Sequence, residues 1–200
     1  MTDVDHALAQ LADIRAQMAA GTRFRGLAPA VVASTGLLAI AAATVQVAWT
    51  SAGDLVDYAL FWSAVGLLAG GMIAVEALGR ARRVHGGMAD VLIGGSLRLF
   101  LPFGVGGAVL TLVLLRVAPE AAWLLPGLWQ MLVALLGFSA AATNLPRSVA
   151  WAGGWYLLCA TAVLTLAGQA QAASPWMMGV PFGVGQLLVA ALLHRAGGEA

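Results

Sequence analysis

Between residues 27 and 193 the sequence passes through six apolar stretches of roughly twenty residues each, separated by short polar links. A helix of ~20 residues spans about 30 Å, the depth of a bilayer's hydrocarbon core. Hydrophobic residues make up 61% of the 200-residue chain, charged residues only 10%, and glycine adds another 25 positions. A water-soluble domain sits near 45–50% apolar and about 25% charged, and a soluble fold of this size has too much surface for its volume to hide the difference. The expected fold is therefore all-α: an integral membrane bundle of six transmembrane helices over residues 23–200, preceded by an amphipathic helix within residues 1–22. The spans are expected at 27–49, 58–79, from 91 or 99 to 115, 122–143, 149–166 and 175–193. The first is read as an uncleaved span, because the apolar run does not stop at Ala41-Ala42-Ala43 but continues through Trp49.

The arginines set the expected orientation. With both termini inside, Arg15, Arg23, Arg25, Arg80, Arg82, Arg83, Arg98, Arg147 and Arg195 fall on or near the cytoplasmic side, and Arg116 alone falls outside. Trp49, Trp62, Trp123 and Trp176 then lie near the outer boundary and Trp151 and Trp155 near the inner one, at the level tryptophan prefers. All ten basic residues are arginine, which excludes chemistry that depends on a lysine amine. A net charge of +1 supplies no global field for nucleic acid.

Residues 3–20 have a different pattern. Val4, Leu8, Leu11, Ile14 and Met18 recur at helical spacing, Thr2 and Asp5 resemble a capping box, and Gly21 is placed to end the helix. The polar face carries Asp3, Asp5 and Asp13 against Arg15. Helices that lie on anionic leaflets usually carry a basic polar face, so this acidic one is expected to pack on protein. Its partner is then either the rest of the chain, a second copy in a homodimer, or another protein.

Few residues break the apolar pattern. Glu76 and Arg98 are the ionisable side chains placed deepest and form a candidate buried ion pair, with Arg80 as the alternative partner of Glu76 one turn on. Gln130 and Gln186, with Gln46, are candidates to line a polar cavity; they serve equally as interhelical hydrogen-bonding groups. Ser63, Ser139, Thr161 and Thr165 add hydroxyls that commonly return to their own backbone. The string Pro-Phe-Gly-Val-Gly occurs twice, from Pro102 to Gly106 and from Pro181 to Gly185. Pro102, Gly104, Pro181 and Gly183 are thus candidate helix hinges, and the repetition suggests two inverted halves of three spans, an architecture found in secondary transporters. Small residues at four-residue steps, Gly66-Gly70-Ala74 and Gly179-Gly183, allow close backbone approach, either within the bundle or across a dimer seam.

Searches for chemistry fail for specific reasons. Gly137-Phe138-Ser139-Ala140 resembles the serine motif of rhomboid proteases, but the sixth span carries no histidine base, and His194 lies past its end. His6, His85 and His194 lie at or beyond the cytoplasmic boundary, which argues against haem within the bilayer, and no recognisable metal spacing joins them. Cys159 is a lone cysteine in an apolar stretch, and no Walker loop or dinucleotide fingerprint is present. No catalytic, cofactor or metal site is expected.

Phe24-Arg25-Gly26 leading to Pro29, and Leu124-Leu125-Pro126-Gly127-Leu128-Trp129, resemble stretches in a group of small multi-span bacterial membrane proteins without an assigned activity. The resemblance implies location in a bacterial inner membrane and carries over no site residue. The expected function is a non-enzymatic sensor, regulator or assembly component acting through its cytoplasmic helix. The alternative is a small-solute transporter.

Overall fold

The computed structural model describes residues 28–49, 54–85, 89–143, 145–170 and 172–198; the amphipathic helix expected within residues 1–22 lies outside them. The described residues form six long helices: α1 (Pro29–Trp49), α2 (Leu55–His85), α3 (Ala89–Val117), α4 (Leu125–Thr143), α5 (Ala150–Ala170) and α6 (Trp176–Gly198). Two short 3-10 turns, Pro119–Leu124 and Arg147–Val149, join α3 to α4 and α4 to α5. All six helices are long and apolar enough to cross a membrane.

Helix ends follow local chemistry that apolar content alone does not report. Asp54 Oδ1 accepts the backbone N–H groups of Val56 at 2.8 Å and Asp57 at 3.3 Å, so α2 begins three residues before Tyr58. Its other end continues past Gly79 to His85, through the arginines rather than stopping at them. α3 is one helix from Ala89, which puts residues 91–98 in the same element as the apolar run that follows. Pro119 opens the turn before α4, where a missing N–H is harmless.

The helices run up and down. Contacts that fix the directions are Gly36 beside Gly183 and Ala43 beside Gly179 between α1 and α6, and Gly137 beside Gly153 and Gly127 beside Ala160 between α4 and α5. These two antiparallel pairs are the closest in the bundle. A Cβ placed on Gly36 would lie 2.9 Å from the carbonyl oxygen of Gly183, and one on Gly137 would lie 3.2 Å from Gly153 Cα. Backbones this near gain dispersion contacts along their length, which is how helices without large side chains hold together. The Gly179-Gly183 step is thus used inside the chain. Gly66 and Gly70 on α2 have no neighbouring atom within 4 Å of a notional Cβ.

One end of the bundle carries the start of α1 together with Arg80, Arg82, Arg147 and Arg195; the opposite end carries Asp54, Arg116 and Glu120. Both apolar clusters lie toward the opposite end. Ala39, Ala42, Ala43, Tyr58, Trp62 and Met178 form one, and Ala59, Ala122 and Leu125 the other. They hold α2 to the bundle by its first two turns. Beyond Trp62 no described residue of α2 is buried, and none of α3 is. The arginine-end halves of both helices therefore stand on the outside of a packed unit made by α1, α4, α5 and α6.

Gly36→Leu should destabilise the protein by about 1–3 kcal/mol, because the added atoms meet backbone that has no rotamer to give. Gly104→Leu, at a helical position with nothing within 4 Å, should leave stability unchanged or raise it by up to about 1 kcal/mol. Thermal melts of the two variants in mild detergent check this. Equal melting temperatures would show that the α1–α6 contact is not tight.

Candidate functional site at the proline of the sixth helix

Pro181 sits inside α6. Its ring nitrogen has no hydrogen, so the carbonyl of Met177, one turn earlier, has no helical donor. Gln130 supplies the missing bond from α4: its Nε2 donates to Met177 O at 2.7 Å. The glutamine is completely covered, and its Oε1 has no hydrogen-bond partner among the described residues. A buried carbonyl left unpaired costs about 1–3 kcal/mol; the glutamine removes that cost at Met177 and carries a similar one at its own Oε1.

α5 grips the next turn. Trp155 Nε1 donates to Pro181 O at 3.0 Å. Tyr156 packs its ring against the bare backbone of Gly185 and stands 5.2 Å from the ring of Phe182, centroid to centroid. Glycine is required at 185 because any side chain would occupy the space of the tyrosine ring. The Tyr156 hydroxyl lies beside Gln186 and is buried without a hydrogen bond among the described residues. On the other side of α6, Gly183 packs onto Ile40 of α1. A stretch of ten residues, 177–186, is thus held by side chains from α4 and α5 and by Ile40, Ala43 and the nearby backbone of α1.

The candidate residues divide accordingly. Gln130 and Gln186 both serve this stretch of α6, Gln130 with no accessible surface and Gln186 half-buried. Gln46 accepts the indole N–H of Trp62 at 2.7 Å. Pro181 and Gly183 lie in the packed interior, whereas Pro102 and Gly104 lie on the exposed outside of α3, and both helices continue through their prolines. The two copies of the pentapeptide therefore have unlike surroundings. Glu76 pairs with Arg80 at 3.2 Å, both partly exposed, and Arg98 is exposed on α3. The Thr161 and Thr165 hydroxyls return to the carbonyls of Leu157 and Thr161 in their own helix.

Several polar contacts were not anticipated. Trp62, expected at a boundary, is buried because its N–H is directed to Gln46 rather than outward. Trp129 Nε1 donates to the Thr111 hydroxyl at 3.0 Å, tying α4 to α3. The Tyr58 hydroxyl donates to Ser174 O at 3.2 Å. Aromatic residues with one polar atom often bury the ring when that atom finds a partner, but sequence does not name the partner.

Away from this cluster, an open groove of about 500 Å³ lies between α1 and α2 near the arginine end. Val31, Leu67, Gly71, Met72 and Val75 line it, with Glu76 as its charged member. Among the described residues no three His, Cys, Asp or Glu side chains come together as a metal site. No family model, no characterised protein and no solved structure matches the chain.

Gln130→Leu orphans the Met177 carbonyl but also removes the unpaired Oε1, so its net cost should be about 1 kcal/mol or less. In a Pro181→Ala background the helix recovers its own N–H donor, so the same substitution should cost much less. A double-mutant cycle on unfolding in detergent reads the coupling. Strictly additive losses would sever the link between Gln130 and the proline.

Proposed function

We propose that the chain is a six-span protein of a bacterial inner membrane, with both ends cytoplasmic, and that it works as a non-enzymatic sensor, regulator or assembly component through residues 3–20. Insertion is supported by the apolar side chains that the helices leave uncovered all along their length. Leu67 is 79% exposed, Val75 72%, Leu112 68% and Leu158 73%. In water each would forgo about 1.5–3 kcal/mol of burial; in lipid each is solvated. Arginines at the end where α1 begins, against Arg116 at the other, support a cytoplasmic start. The resemblance of the 24–29 and 124–129 stretches supports the bacterial location.

The observation that carries the functional reading is the uneven packing of α2. The hairpin of α2 and α3 is anchored at one end and bare at the other. The bare end is where the chain leads from residues 3–20 into α1. On this reading the working surface lies on the side where the chain enters α1, while Gln130 in the interior is fully covered.

Removing residues 1–20 should abolish recovery of a partner with affinity-tagged protein from detergent-solubilised membranes, while the elution volume of the six-span remainder stays that of a folded protein. A partner retained by the truncated chain would place the working surface elsewhere. Fusions after His85 should activate a cytoplasmic reporter and not a periplasmic one; the reverse result overturns the orientation.

A further inference from the structure

We infer that the groove between α1 and α2 is a seat for residues 3–20 of the same chain. This rests on the reading of that segment as the working part, and adds where it resides when no partner holds it.

Position, length and charge together select this occupant. Val31 lines the groove and is two residues past the first residue of α1, so the chain enters at the groove's rim. Residues 21–28 separate the segment from α1. An eight-residue tether has an end-to-end distance of about 16 Å, which confines the segment to the groove's neighbourhood at an effective concentration of order millimolar. The groove's apolar lining, Leu67 to Val75, runs about 12 Å along α2, and the part open to the segment is its arginine end at Val31, Val75 and Glu76.

Charge agrees. The segment carries Asp3, Asp5 and Asp13 against a single Arg15. Arg82, exposed, stands seven residues beyond Val75 and so on the same face of α2 past the groove's end, and the groove's own acid, Glu76, is already paired with Arg80. An acidic helix is drawn to this basic rim and repelled by an anionic leaflet. The segment then lies across the rim with its apolar face toward Val75, Met72 and Val31 and its aspartates toward the arginines.

Cysteine cross-linking in membranes tests the seat. In a Cys159→Ala background, Leu11→Cys with Val75→Cys should form an intramolecular disulfide under mild oxidation, seen as a reducible shift in mobility. Asp13→Cys with Val75→Cys has nearly the same tether but the opposite helix face, and should react about tenfold more slowly if one face is seated. Equal rates for the two pairs overturn the proposal, and so does a product that migrates as a dimer. Arg82→Glu should slow the Leu11 pair severalfold at low salt; an unchanged rate overturns the charge-based docking. These outcomes are separable from the pull-down. A captured partner without face-selective cross-linking removes the seat alone, and cross-linking without a partner removes the partner alone.

Discussion

The bundle depends on one missing hydrogen. Because Pro181 donates nothing, the turn of α6 before it carries a free carbonyl, and a free carbonyl in an apolar interior must be answered from outside the helix. Gln130 answers it from α4. The same stretch of α6 is bare enough, through Gly179 and Gly183, to lie against the backbone of α1. On its other face Trp155 and Tyr156 of α5 close over Pro181 and Gly185. Neither close pair, α1 with α6 or α4 with α5, includes the other; residues 177–186 join them. A polar bond between helices is worth about a kilocalorie or less on average in an apolar medium, so the joint owes its specificity to geometry as much as to strength.

α2 and α3 follow another rule. Their small residues, Gly66, Gly70, Gly104 and Gly106, meet nothing, while their large ones, such as Leu67 and Leu112, point away from the bundle. What ties them down are aromatic and polar contacts at one end: Trp62 to Gln46, Trp129 to Thr111, and Tyr58 to Ser174. Stability in such a molecule is not uniform. Elements with few buried contacts open at lower free energy than those in a packed interior, and here the division falls between the outer hairpin and the four-helix unit.

Much of this architecture is legible in the sequence alone. Six apolar runs with short links determine six antiparallel helices, because backbone groups in long apolar stretches must pair within their own segment. Boundaries were less legible, since Asp54 starts α2 by capping and not by hydrophobicity. Gln130 could be singled out as a polar residue in an apolar run. Its partner could not, because it is a main-chain carbonyl on another helix, distinguished only by a proline four residues on. The repeated Pro-Phe-Gly-Val-Gly string raised the same expectation twice, and the surroundings separated the copies: one faces Gln130, Tyr156 and Ile40, the other faces outward. Trp62 lies inside for the related reason that an indole finds its place through its N–H.

The level at which the amphipathic segment is proposed to sit follows from what lipid can and cannot drive. Within the hydrocarbon, moving an apolar helix face from acyl chains onto Leu67 or Gly71 gains little, because tails are as apolar as side chains. Only near headgroups, where the segment's alternative is water, does covering Leu11 and Ile14 yield about 1.5–3 kcal/mol each. The groove's arginine end, at Val31, Val75 and Glu76, is where that gain is available, and it is also where the guanidinium groups stand. A tether spares most of the translational loss that free association would incur. The remaining balance is a few kilocalories. That suits a seat that holds the segment off the membrane surface yet releases it to a partner offering a longer apolar face.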